Sequence, residues 1–194
     1  MRSEELELEM VGNQQAWAEC DRADLMLQLL GQMAGTPGWP SRQQVILLAC
    51  DCVEPALEFV PEGENRPKQA IIDARRLARG EDISPAQVRA AAASAKDYGI
   101  SSSYTDATYV AFAAASAAYA AANAAEAYDA VNDVVAYIAD AYASAAYDAA
   151  YDDYPSEDYA FYAASAARDE KLRELADLIR PQFTPVSEHL GLDR

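Results

Sequence analysis

Two kinds of side chain in this sequence could do chemistry, and the carboxylates come first. Asp148, Asp152 and Asp153 stand close enough along the chain to offer hard oxygen ligands to Mg²⁺ or Ca²⁺, the one arrangement here that a metal-dependent enzyme could use. The groups that would complete a catalytic site are missing. The single histidine, His189, lies in the C-terminal tail, and there is no G-x-S-x-G, no Gly-rich phosphate loop and no Glu-x-x-His pair for a helical di-metal site. The thiols offer little more. Cys20, Cys50 and Cys52 are an odd set without the spacing of a secreted disulfide framework, and read as reduced, buried small hydrophobes. Cys50 and Cys52 fall on a helix, where residues two apart point in different directions and make a poor two-thiol clamp. The sequence therefore predicts no enzyme, no cofactor and no metal.

What carboxylates do without a catalytic partner is attract cations, and their distribution here is uneven. Residues 97–167 hold 27 alanines, all 12 tyrosines of the chain, 11 Asp or Glu and not one Lys or Arg. Of the formal charge of −17, this stretch contributes −11, and 21 acids against 15 bases elsewhere contribute the remaining −6. Such a balance disfavours contact with nucleic acid or an anionic membrane and favours a basic partner, although surplus acid also serves solubility. Tyrosines could seat nucleic-acid bases, but nothing among them offsets phosphate charge.

Helices must hold these residues. Ser41 with Gln44 and Ser84 with Gln87 have capping-box spacing, Pro85 suits a first helical position, and Gly80 suits a C-terminal stop. The punctuation predicts helices near 13–34, 42–60, 66–79, 85–98, 104–124, 126–152 and 156–180, with Pro55 breaking or kinking the second and Pro181 ending the last. No stretch sustains β alternation, so the expected fold is all-α, a compact multi-helix array of about seven helices. At 194 residues one domain is expected: N-terminal helices over 12–98, Ala/Tyr/Asp-rich helices over 99–180, and a tail over 181–194. Residues 107–125 are uncharged over a bilayer-spanning length, but mostly alanine without basic flanks, and read as a helix buried among helices. The acidic N-terminus shows no signal-peptide pattern, and a cytoplasmic protein is expected.

Alanine thins the helices so that their axes can approach closely, and tyrosine restores bulk between them while its hydroxyl reaches water. Aspartate needs another account. On a helix over 126–152, with Asp129 at 0°, Asp140 falls at about 20°, Asp133 at about 40°, Glu126 at about 60° and Asp148 at about 100°. Val131, Val135, Ile138 and Tyr142 fall on the opposite side, at about 180–240°. Like charges four apart cost a helix a few tenths of a kcal/mol, and a merely solvated face would mix signs. The expected partner-binding surface therefore comprises Glu126, Asp129, Asp133, Tyr137, Asp140, Tyr147, Asp148, Tyr151, Asp152, Asp153, Glu157 and Asp158.

A resemblance points the same way. The segments A49-C-D-C-V-E-P-A-L-E58, N65-R-P-K-Q-A-I71, A74-R-R-L-A-R-G80 and V88-R-A-A-A-A-S-A95, followed by an alanine-rich tail, resemble a family of predicted immunity proteins from bacterial polymorphic toxin systems. Members carry an R-P-x-x-A-I-x-x-A-R-x-x-x-x-G type core before an Ala-rich helical array, and the resemblance covers roughly residues 42–180. It implies an all-α protein that neutralises an effector by binding, with Arg66, Pro67, Arg75, Arg76 and Gly80 as its core. Family arrays scatter Arg and His among the alanines, whereas this chain has Tyr, Asp or Ala there. Read from the residues, Arg66, Arg75, Arg76 and Arg79 should form internal ion pairs with Glu54, Glu58 or the acidic array.

The expectation is thus a non-catalytic acidic inhibitor of a basic effector, a toxin, nuclease or other nucleic-acid-binding protein, without direct nucleic-acid or membrane contact and with a homodimer open. Its sharper variant is an anti-CRISPR-like DNA mimic. Five carboxylates over roughly 33 Å give about one charge per 7 Å, against one per ~1.7 Å in duplex DNA, so other acids, Glu4, Glu5, Glu7 and Glu9 among them, would have to contribute.

Overall fold

Both serine caps form as their spacing predicts. Ser41 and Ser84 accept from the backbone N–H of Gln44 and Gln87 through their side-chain oxygens, and each glutamine side chain accepts the serine's own backbone N–H in return. The computed structural model describes residues 14–103, 105–123 and 127–183, with backbone alone at 127–129 and 132. Glu126, the side chain of Asp129, His189 and the N-terminal glutamates fall outside what is described.

Among the described residues there are α-helices and short 3₁₀ turns, and no strand. They are α1 (Gln14–Glu19), α2 (Ala23–Met33), α3 (Arg42–Val53), α4 (Arg66–Ala78), α5 (Pro85–Ser101), α6 (Thr105–Ala122), α7 (Ala127–Asp153) and α8 (Glu157–Ile179). Two boundaries differ from the sequence expectation, and the break at Pro55 follows it. The first predicted helix is two, because the chain breaks at Cys20–Arg22, where Arg22 turns back to pair with Asp24 in the first turn of α2. Pro55 ends α3 at Val53 and starts a 3₁₀ turn over Glu54–Phe59, since proline has no N–H to continue the ladder. α5 runs past Tyr98 because Gly99 leaves room for a neighbour: a Cβ there would lie 2.8 Å from a ring carbon of Phe112. Gly80 does close α4, in the left-handed region at φ 73° that suits glycine.

The alanine-rich α6 is the axle of the array, packed against α3, α4, α5 and α7. Nine of its residues are buried, eight of them alanines and one Val110. Side chains this small let four neighbours crowd one helix, and what little each contributes is repeated along its length. Among the described residues, no helix is long and apolar enough to cross a membrane. One hydrophobic cluster runs from Trp17 through Leu27, Leu30, Val53, Ile71, Val88 and Val110 to Ile138 and Ile179. Cys50 and Cys52 are both fully buried in it, despite standing two apart, because α3 has helices on more than one side. Burial pushes the Cys50 thiol up to about 12 and raises that of Cys52 as well, so both stay protonated and inert.

α6 carries no base of its own, yet its negative C-terminal end is neutralised. Arg42 of α3 donates to the backbone carbonyls of Ala120 and Asn123, and Arg89 of α5 reaches the Ala122 carbonyl and the Asn123 side chain. Borrowed cations therefore satisfy the orphan carbonyls and the helix dipole together.

Candidate binding surface

α7 and α8 form an antiparallel hairpin turned at Tyr154-Pro155-Ser156, where Pro155 prevents α7 from continuing and the Ser156 side chain accepts the Tyr159 N–H to start α8. The proximal part of α7 belongs to the core: Val131, Val134, Val135, Ile138, Ala139 and Ala141 are buried. Beyond Ala141 the picture changes. From 142 to 171, Ala160 is the one buried residue. The distal hairpin is thus an arm whose two helices cover each other and little else.

At the root of the arm, acids and rings are already occupied by cations of the same chain. Lys171 sits 3.7 Å over the Tyr142 ring and pairs with Glu174. The Tyr142 hydroxyl donates to Glu58 at 2.9 Å, and its ring meets Phe59 edge-on at 4.7 Å. Burial, reinforced by Glu58, holds that phenol well above its ordinary range, so it stays a donor. Asp140 accepts from Arg168 Nε at 3.0 Å. This corrects the expectation of an uncompensated ridge along α7. Arg168 lies just past the base-free stretch, and the hairpin brings it back beside Asp140.

Asp133 is exposed, but it too has an interaction within the chain, and it lines a separate cleft of about 500 Å³ with Lys96, Phe112, Tyr119 and Tyr137. Burial, then the nearby Asp133 and Asp140, raise the Tyr137 phenol. The predicted stripe is therefore split. Its proximal part, Asp133, Tyr137 and Asp140, is drawn into contacts of the bundle.

The distal part is different. Asp148, Asp152, Asp153, Glu157 and Asp158 are all exposed, and among the described residues none of them forms an ion pair. Glu157 and Asp158 stand in the first turn of α8, where the helix dipole favours anions. Asp152 and Asp153 stand in the last turn of α7, where it opposes them, and no base is present there. Among the described residues, no arginine is lent to this helix end as Arg42 and Arg89 are lent to α6. Asp152→Asn and Asp153→Asn should each raise the stability of the protein by about 0.3–1 kcal/mol, read as higher urea midpoints. Unchanged or lower midpoints would mean that these carboxylates are satisfied where they stand.

Aromatic rings surround these acids. Tyr151, Tyr154, Tyr159, Phe161 and Tyr162 are 42%, 65%, 55%, 71% and 76% exposed, which puts five of the seven large hydrophobics exposed among the described residues on one turn of chain. Tyr147 and Tyr151 stack with planes 7° apart at 6.1 Å, and Tyr154 meets Tyr159 edge-on at 5.9 Å. Asp158, Phe161, Tyr162, Ser165 and Asp169 share one exposed face of α8 by their spacing of three and four. The expectation that tyrosine fills gaps between helices holds for the half-buried Tyr109, Tyr119, Tyr137 and Tyr142. It fails at the tip. Tyr154, Tyr159, Phe161 and Tyr162 were not among the predicted partner residues; the Tyr-Pro-Ser break, which forces a turn, is the signal that sets them at an end.

No known protein family, curated protein or solved structure matches the chain. The arginine-rich segment is therefore judged on its own contacts, and these are internal. Arg75 bridges Asp51 and Glu54 at 2.6 Å each, Arg66 holds Glu64 at 2.5 Å, Arg76 pairs with Asp73 and Glu81, and Arg79 reaches Glu81. The expected partner Glu54 is used, while Glu58 serves Tyr142 instead. Pro67 is buried in the first turn of α4. Among the described residues no three His, Cys, Asp or Glu side chains converge into a set that could hold a metal ion, Asp148, Asp152 and Asp153 included.

Proposed function

We propose that this protein is a non-catalytic, immunity-type inhibitor that neutralises a basic effector, a toxin, nuclease or other nucleic-acid-binding protein, by laying its acidic aromatic arm on the effector's cationic surface. The observation that carries the proposal is the group of five unpaired carboxylates at the arm tip, two of them against their helix dipole. Solubility would be served as well by acids in favourable positions. A protein that uses Arg66, Arg75 and Arg76 to satisfy its own acids, and leaves these free, is arranged for a cation from outside. Rigid rings among the charges supply contact area at low entropic cost. The DNA-mimic variant has less behind it, because Asp140 is spent on Arg168 and the remaining row is short.

Retention of proteins from a bacterial lysate on the immobilised chain tests the proposal. Charge-driven partners, rich in Lys and Arg, should be held at low salt and released as the screening length falls from ~10 Å at 0.1 M to ~3 Å at 1 M. A retained set that ignores salt, or that is no more basic than the lysate, would remove the basis of the proposal.

A further inference from the structure

We infer that the arm tip recognises arginine side chains, each guanidinium laid on an exposed ring and forked onto a neighbouring carboxylate, so that the effector docks through an arginine-rich segment. The inference rests on the cationic-partner proposal above and names the chemistry of that partner.

The spacing supplies the first support. Asp148 precedes Tyr151 by three residues on α7, and Asp158 precedes Phe161 and Tyr162 by three and four on α8, so a carboxylate and a ring share each helix face. A planar cation with several donors can satisfy both at once. Arginine stacks on the ring and presents its N–H fork to the carboxylate.

The second support is internal to the molecule. At the root, Lys171 lies over Tyr142 while pairing with Glu174, and elsewhere Arg66 lies 4.9 Å from the Tyr98 ring centre while pairing with Glu64. The fold thus already contains ring-plus-carboxylate sites filled by its own bases. The tip repeats the composition of these sites without a base to fill them.

Exposure chooses between the two cations. Lys171 is largely buried, with 13% of its side chain exposed, so its strongly hydrated ammonium is held out of water by the root of the arm. The tip has no such cover, because Tyr151, Tyr154, Tyr159, Phe161 and Tyr162 are all exposed. On an open surface a lysine keeps its water and gains little from a ring, whereas the weakly hydrated guanidinium stacks without giving up much.

Two peptides of equal length and charge, one alternating Arg with Ser and the other Lys with Ser, decide the matter when titrated calorimetrically into the full chain at low salt. The arginine peptide should bind about tenfold more tightly, a difference of about 1.4 kcal/mol. In a chain carrying Tyr151→Ser, Tyr154→Ser, Phe161→Ser and Tyr162→Ser, all exposed positions, the two peptides should bind equally. Equal affinity of both peptides for the unaltered chain overturns the arginine inference and leaves the cationic-partner proposal standing. An arginine preference that survives loss of the rings also overturns it, since the preference then arises elsewhere. If neither peptide binds, both fall.

Discussion

Conversion of Asp148, Asp152, Asp153, Glu157 and Asp158 to their amides should weaken binding to the proposed basic partner by roughly two to three orders of magnitude at low ionic strength. Each exposed ion pair contributes about 0.5–1 kcal/mol, and a tenfold change in affinity corresponds to about 1.4 kcal/mol. The loss should fall mainly on the association rate and shrink as salt is added, because these charges steer the encounter. Stability should stay close to the parent's, because Asp152 and Asp153 oppose the α7 dipole while Glu157 and Asp158 suit that of α8, and no described cation pairs with any of the five. That divergence separates a binding surface from a structural one. A variant that loses binding only because it unfolds would melt early, and one that keeps full affinity would show the acids to be a solvation device.

The second large effect is on the fold. Trp17→Ala should destabilise the protein by about 3–5 kcal/mol, the usual cost of removing a large buried aromatic, and lower the melting temperature by roughly 6–20 °C in a chain of this length. Trp17 is buried, and its ring stands edge-on to Phe183 at 6.1 Å, while Phe183 stacks on Trp39 at 5.0 Å. These three rings tie α1 and the α2–α3 connection to the chain just beyond α8. Arg180 adds to the tie by donating to the Cys20 carbonyl at 2.7 Å. The C-terminal end of α8 is therefore fastened by residues remote from it in sequence. Differential scanning calorimetry of the variant measures the cost; a drop of only a degree or two would mean that the cavity collapses and the tie is dispensable.

The parts of this fold that local chemistry determines were legible in the sequence. Ser41, Ser84 and Gly80 mark helix ends because each acts within a few residues, and Pro55 breaks α3 for the same reason. The face of α7 that carries Val131, Val135 and Ile138 followed from helical period alone. Long-range effects were not legible. The break at Cys20–Arg22 has no proline or glycine to announce it and shows only in the contacts made there, where Arg22 pairs with Asp24. A count of bases over 97–167 missed Arg168 by one residue, although a hairpin turned near Tyr154 sets residues 140 and 168 opposite each other. Period also says nothing of where along α7 the core ends. Tyr142 and Tyr151 look alike in sequence, and one lies under a lysine while the other faces solvent.

The near absence of buried side chains from 142 to 171 also bears on how such a protein changes over time. Substitutions at exposed positions usually alter stability by no more than about 0.5 kcal/mol, so residues at the tip can be exchanged freely while the alanine axle and its borrowed arginines stay fixed. On the proposed reading, partner choice and foldedness are thereby encoded in separate stretches of chain. A lineage pursuing a drifting adversary could rewrite the first without endangering the second.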